Sequence, residues 1–261
     1  MCTLALFREV SPRYPLIVAA NRDEYLDRPA LPPALLADPA GVVAGKDLEA
    51  GGTWLGCRVR GGILVAGLLN RRLAAPRPPS PAPLRSRGLL CLDALRCGSV
   101  DEALATLADA ADGSAPERCA PFNLLLADRA RAVVVDNHDG AETTELAPGL
   151  SVLTNLAVND PRCPRLASAH AGFARVLPRL AASASAEDLV DALGAVLRDH
   201  EGSADPTGSD PFARVCVHAG PYGTRSASVV VIDREGSVRY FHADDAPCRS
   251  AFREIAWSQS P

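Results

Sequence analysis

The sequence predicts an α+β protein in which two mainly antiparallel sheets lie between two helix layers. Three observations carry that expectation. Short apolar runs come in pairs separated by turn residues, helical stretches come two at a time, and the order is strands, two helices, strands, two helices, strands. Paired runs joined by tight turns make antiparallel hairpins, whereas a parallel sheet needs a crossover between each strand and the next. Periodicity alone is met equally by a generic α+β fold. With 261 residues, 48% of them apolar, the chain suits one large domain over 1–261.

The first pair is residues 2–7 and 15–21, CTLALF and PLIVAAN, with EVSPRY as the turn. A proline-rich connector follows at 29–39. GTWLGCRV and GGILVAGLL then read as a second strand pair joined by Arg60–Gly62. Residues 76–85, PRPPSPAPLR, read as a surface loop, because proline has no amide to donate to a ladder or a helix interior. Two helices come next, one from about Ser86 and one behind the capping box Ser99-Val-Asp-Glu102. FNLLLAD with RAVVVDN gives another hairpin, followed by LSVLTN. Helices over 165–182 and 186–199 precede three closing strands, ARVCVHAG, TRSASVVVID and SVRYFHAD.

Charge excludes some functions. Basic and acidic residues number 27 and 31, a formal charge of −4, and no basic patch with interleaved aromatics invites nucleic acid. Glu9 interrupts the N-terminal apolar run, so no secretory leader is expected, and no stretch approaches the ~18–20 apolar residues of a spanning helix. A cytoplasmic protein without stable membrane insertion is the expectation. The eight cysteines, at 2, 57, 91, 97, 119, 163, 216 and 248, show neither CxxC nor a Cys/His metal spacing. They are read as reduced packing residues, with no metal site and no required cofactor.

Seven short motifs fall in order: MCT at the start, NRDE at 21–24, GGTWLG at 51–56, GLLNRR at 67–72, SRG at 86–88, LTN at 153–155 and YGTRS at 222–226. As an ordered set they resemble the NRDE family, the transport-and-Golgi-organisation proteins. That family is in turn similar to N-terminal-nucleophile hydrolases of the choloylglycine hydrolase and penicillin V acylase type. The resemblance implies a four-layer αββα sandwich with Cys2 leading a central strand. It also implies a mechanism in which Met1 is removed and Cys2 attacks an amide while its own α-amine takes the proton.

Carried onto this sequence, the resemblance makes Cys2 the nucleophile and Asp23 the carboxylate that orients it. Asn70 and Asn155 become oxyanion donors, and Arg225 the arginine of the charge network. One position departs. The hydrolases have an arginine three residues before the aspartate, and here that residue is Ala20; Arg22 lies two residues further along, on the opposite side of an extended strand from Asp23. Asn21, Arg22, Trp54, Arg87 and His218 are the further candidates for ligand contact. Each has a plainer reading: a solvated turn for Asn21 and Arg22, cleft filling for Trp54, a helix start for Arg87 and a strand histidine for His218.

Two functions are consistent with this set. One is the handling of a small amphipathic ligand, haem or an acyl lipid or acyl-CoA, with cleft arginines taking its acidic end. The other is a cysteine hydrolase of small linear amides. The absence of an arginine at position 20 tips the sequence reading towards handling, and fold inheritance alone does not decide.

Overall fold

A computed structural model describes residues 2–72, 83–111, 119–138, 140–183, 185–201 and 210–257. Its elements begin with β1 (Thr3–Arg8), β2 (Leu16–Tyr25), β3 (Ala30–Leu35), β4 (Val42–Asp47), β5 (Leu55–Arg58) and β6 (Leu64–Asn70). Helices α1 (Arg87–Leu95) and α2 (Val100–Ala111) follow, then β7 (Phe122–Ala127), β8 (Ala132–Asp136), β9 (Glu142–Glu145) and β10 (Gly149–Leu153). The chain closes with α3 (Pro164–Ala182), α4 (Ala186–Leu197), β11 (His218–Ala219), β12 (Tyr222–Ile232), β13 (Val238–Ala243) and β14 (Arg253–Glu254). Two compact units result, Met1–Arg28 with Ala147–Ala256, and Pro29–Leu146 with Trp257–Pro261.

The first unit is an antiparallel sheet in the order β10-β1-β2-β12-β13-β14, with β11 paired to β12. The expected first hairpin is there, with Leu4 opposite Ala20 and Phe7 opposite Ile17. Strand alternation sends Ala5, Phe7, Ile17, Ala19, Val229 and Val231 to one face, where they pack against Leu166 and Phe173 of α3 and Leu189 and Leu193 of α4. Phe7 and Phe173 meet edge to face at 5.5 Å. The alternate set, Leu4, Leu6, Leu16 and Val18, is buried as well. Helix α4 starts where its sequence says it should, the Ser185 hydroxyl accepting the Asp188 amide at 3.2 Å.

The second unit is a seven-stranded antiparallel meander, β3 to β9 in chain order. Val42, Ala44, Leu64, Ala66, Leu124, Leu126 and Val133 face Leu90, Ala94, Val100, Ala103 and Leu107 of α1 and α2. The Ser99 cap forms as expected, Glu102 N donating to Ser99 Oγ at 3.3 Å, while the Glu102 carboxylate takes the amide of Gly98, one residue before the cap, at 2.7 Å. The GGTWLG and SRG motifs meet here. A Cβ on Gly52 would stand 2.6 Å from the Gly88 Cα, so Gly52 needs the bare backbone, and Thr53 N donates to Gly88 O at 3.0 Å. Each unit thus supplies one sheet and one helix pair of the expected α+β architecture.

Two expectations change. The 29–39 connector contains β3, an edge strand that tolerates Pro32 and Pro33 because an edge need not donate on both sides and its register shifts between Leu31 and Ala34. ARVCVHAG is a strand only at His218–Ala219. Its backbone spends its bonds elsewhere: Asn21 Nδ2 donates to Val215 O at 3.0 Å, Cys216 N to Asp199 O at 2.9 Å and Val217 N to Thr224 Oγ1 at 2.9 Å. Of the proline-rich loop, 76–82 lies outside the described residues, and Arg85 bridges to Cys119. Among the described residues no helix is long and apolar enough to cross a membrane.

Candidate active site

The site in the first unit follows from strand register. Leu4 of β1 lies opposite both Ala20 of β2 and Leu153 of β10. Two residues along the sequence beyond that row, on three segments of the chain, stand Cys2, Arg22 and Asn155. Alternation gives Cys2 and Arg22 the face of Leu4 and Ala20, and gives Asp23 the other face, towards the helices. Arg22 and Asn155 are each 7% exposed, while Cys2 is half-buried. Sequence alone places these three residues up to 153 positions apart (155 − 2); the sheet brings the strands that lead to them side by side, with Thr3 opposite Asn21 and Leu4 opposite Leu153.

Asp23 is buried and heavily partnered. Its carboxylate takes an ion pair from Arg165 Nη1 in the first turn of α3, and the Thr224 hydroxyl donates to it at 2.7 Å. Arg165 is itself held by Nε donating to Phe212 O at 2.8 Å. The Asp23 carbonyl accepts from the Tyr222 hydroxyl at 2.9 Å, and Cys2 Sγ lies 3.8 Å from the same oxygen. Burial raises the Asp23 carboxyl, while the Arg165 guanidinium and the Thr224 hydroxyl pull it down. With alanine at position 20, the cation beside Asp23 comes from a helix 142 residues away.

Burial also pushes the Cys2 thiol up, and the Asp23 charge adds to this; the Asp23 carbonyl contact and the Arg22 guanidinium act the other way. Arg22 is thus the side-chain cation that favours the thiolate. All eight cysteines are unbridged, and Cys57 and Cys91 are fully buried thiols whose ionisation is suppressed by loss of water.

The other predicted residues divide. Arg225 occupies a β-bulge, since Thr224 faces Asp23 and Ser226 faces Arg22, and its Nε donates to Arg28 O at 3.1 Å. Asn21 is a clamp between elements, donating to Leu197 O at 2.8 Å and Val215 O at 3.0 Å. His218 stands with His200, Cys216 and Cys248. Asn70, Trp54 and Arg87 belong to the second unit. There Asn70 closes β6 opposite Phe122, Trp54 O accepts the Leu68 amide at 2.7 Å, and Arg87 Nη1 donates to Pro121 O at 3.0 Å.

Sequence reasoning missed Arg165, Thr224 and Tyr222. Arg165 carried a signal, because a helix N-terminus favours acids and an arginine in the first turn invites a search for its carboxylate. Thr224 and Tyr222 lie inside the YGTRS motif, in which Arg225 is the more conspicuous residue.

Comparison with other proteins agrees with this architecture. The family model described as Transport and Golgi organisation 2 matches residues 1–244. A transport and Golgi organization protein 2 homolog of Bos taurus is 32% identical over 252 residues, covering 87% of this chain and 85% of its own. The Mus musculus homolog is 29% identical over 247 residues with the same coverage, 87% and 85%. Among solved structures, the Caenorhabditis elegans N-acylethanolamine-hydrolyzing acid amidase ortholog superposes with a TM-score of 0.51 over 88% of this chain and 92% of its own, at 14% identity. At that identity the likeness is one of fold, and the fold is that of an N-terminal-nucleophile hydrolase.

Proposed function

This chain belongs to the transport and Golgi organisation 2 family, and we propose that it is a cysteine hydrolase of small linear amides, acting from Cys2 after removal of Met1. The observation that carries the reading is the Asp23–Arg165 ion pair, which supplies from α3 the charge partner that Ala20 lacks. The Cys2 thiol gives its proton to the freed α-amine, whose ordinary pKa of about 7.7–8.0 suits a base at neutral pH. Sulfur attacks the amide carbon, and Asn155 donates to the oxyanion. The C–N bond breaks as the leaving nitrogen takes the amine's proton, and water hydrolyses the thioester. Arg22 favours the thiolate, and Asp23 holds the β2 end that faces Cys2. The amidase named above supports trying N-acyl amides first, as a likeness of fold.

Intact-mass analysis with an electrophilic amide-mimicking probe tests this reading. The expected result is loss of one methionine mass and a single adduct on Cys2, with turnover of an N-acyl amide abolished in Cys2→Ala. Asn155→Ala should lower kcat by about 100- to 1,000-fold, the usual effect of removing one oxyanion donor. Retention of Met1, or equal turnover by wild type and Cys2→Ala, would remove Cys2 from the mechanism.

A second reading has one observation in its favour: burial pushes the Cys2 thiol up, away from the thiolate, and Arg22 stands on the same face as a cation. In that reading the site holds the acidic end of an amphipathic ligand, haem or an acyl thioester, without cleaving it. Binding then survives Cys2→Ala and falls about 10- to 100-fold in Arg22→Ala, the worth of a charged hydrogen bond. Calorimetric titration of both variants separates the readings.

A further inference from the structure

We propose that His200, Cys216, His218 and Cys248 form a tetrahedral zinc site. One ligand atom from each lies within 4.8 Å of the others, making this a four-donor cluster of mixed sulfur and nitrogen in the first unit. Cys216 Sγ is 3.9 Å from Cys248 Sγ and 3.9 Å from His218 Nε2, and His218 Nε2 is 3.3 Å from Cys248 Sγ. With Zn–S near ~2.3 Å and Zn–N near ~2.0–2.1 Å, a tetrahedron has edges of about 3.8 Å between sulfurs and about 3.5 Å between sulfur and nitrogen. The three distances fit that shape with adjustments of a few tenths of an ångström.

The surroundings orient the donors. His200 Nδ1 lies 3.3 Å from the Cys216 carbonyl; donating there fixes the tautomer that presents Nε2, the arrangement by which ligating histidines are ordinarily aimed. The His200 and His218 rings lie 5.0 Å apart, tilted by 34°. Cys216 and His218 flank Val217, and their donor atoms come within 3.9 Å of each other. The two sulfurs are unbridged, at nearly twice the ~2.05 Å of a disulfide. Soft thiolates with imidazoles select zinc over hard cations, and four protein donors make a closed, structural site. Binding is redox-neutral: each thiol releases its proton to solvent as the metal enters.

The site would brace three pieces of chain that share little regular structure: the segment after α4, the approach to β11, and the turn after β13 in which Arg249 N donates to Ala246 O at 2.8 Å. Its effect reaches Asp23 through two residues, Val217 and Thr224. Val217, between two of the ligands, donates its amide to Thr224 Oγ1 and accepts the Thr224 amide, each at 2.9 Å, and the Thr224 hydroxyl holds the Asp23 carboxylate. None of this depends on Cys2 being a nucleophile.

The test is metal analysis of the full chain purified under a phosphine reductant, followed by chelation and titration of the apoprotein with cobalt(II) and then zinc. The expected result is one equivalent bound, with the d–d bands of tetrahedral cobalt and a thiolate-to-cobalt charge-transfer band that zinc abolishes. Cys248→Ser should reduce that band by about half and weaken zinc binding by at least ~100-fold. His218→Ala should weaken binding similarly, and Cys97→Ser should change nothing. Because His218 and Cys248 are exposed, these variants keep the fold, which far-UV circular dichroism checks. A six-coordinate cobalt spectrum without charge transfer, or undiminished binding in Cys248→Ser, would overturn the proposal.

Discussion

Two arginines, one in each unit, do the same chemistry in opposite surroundings. Arg165 in the first unit meets Asp23 where both side chains are almost wholly buried, at 2% and 0% exposure. Arg131 in the second unit bridges Asp101 at 2.5 Å and Glu145 at 2.6 Å, tying α2 to the β8–β9 edge in open solvent. The contrast extends to the sheets. Beside Asp23 the first sheet buries Asn21, Thr224, Ser226, Ser228 and His242, whereas among the described residues the strands of the second bury one polar side chain, Asn123. Burying charge and hydroxyls weakens a core unless each is partnered, so a sheet that carries them is being held to a geometry. The polar sheet is the one that bears Cys2.

The largest effect should come from breaking the buried pair. Asp23→Ala or Arg165→Ala leaves one desolvated charge without its ion-pair partner, at a cost of about 3–5 kcal/mol in the urea-unfolding free energy. Replacing both with Leu and Met restores most of that, because a buried pair gains little over apolar packing. The double variant should then fold and yet fail in turnover and in Cys2 labelling. A double variant as unstable as either single one would mean that the pair stabilises the fold by itself, and the contrast between the sheets would lose its functional meaning.

The next effect is one of pH. Loss of water pushes His242 down to about 4, with its Nδ1 2.9 Å from the Ser228 hydroxyl and Asp244 at 3.8 Å opposing the shift. The unfolded histidine titrates near 6.5. Between pH 6.5 and 4 the unfolded chain therefore binds more protons than the native one, so stability falls as pH falls through that window and levels off below it. The whole drop is about 3 kcal/mol at most. His242→Gln should flatten that part of the profile, and comparing it with wild type cancels the other titrating groups. Parallel wild-type and variant profiles would show that His242 is not the group responsible.

What could be read in the sequence was what lies close along the chain. The β1–β2 and β7–β8 hairpins, the Ser185 cap and the Ser99–Glu102 box are set by residues within a few positions of each other, and local periodicity exposes them. The site was legible in part. Cys2, Asp23 and Asn155 stood out through their motifs, and register sets the strands that lead to Cys2 and Asn155 side by side, Leu4 opposite Leu153. Arg165 was not legible as the partner of Asp23, because nothing local pairs them across the sheet–helix interface. The expectation of scattered cysteines and histidines failed to foresee the His200, Cys216, His218 and Cys248 cluster for the same reason: only VCVHAG, with its alternating Cys and His, hinted at it. Edge strand β3 was hidden because prolines argue against a central strand and say little about an edge.

The smallest effect should come from the second unit's arginine. Arg131 holds two carboxylates by geometry as good as Arg165 has, yet water solvates all three groups whether or not they meet. Solvation recovers nearly everything that the ion pairs supply, and fixing three side chains costs rotamer entropy. Arg131→Ala should accordingly leave the urea midpoint close to wild type, and 1 M salt should remove whatever difference is seen. The Arg165–Asp23 pair, which salt cannot reach, should show no such dependence. If Arg131→Ala instead destabilises the protein as much as Arg165→Ala, and salt does not narrow the gap, then burial is not what separates the two arginines. The polar sheet would then differ from the aliphatic one in composition alone.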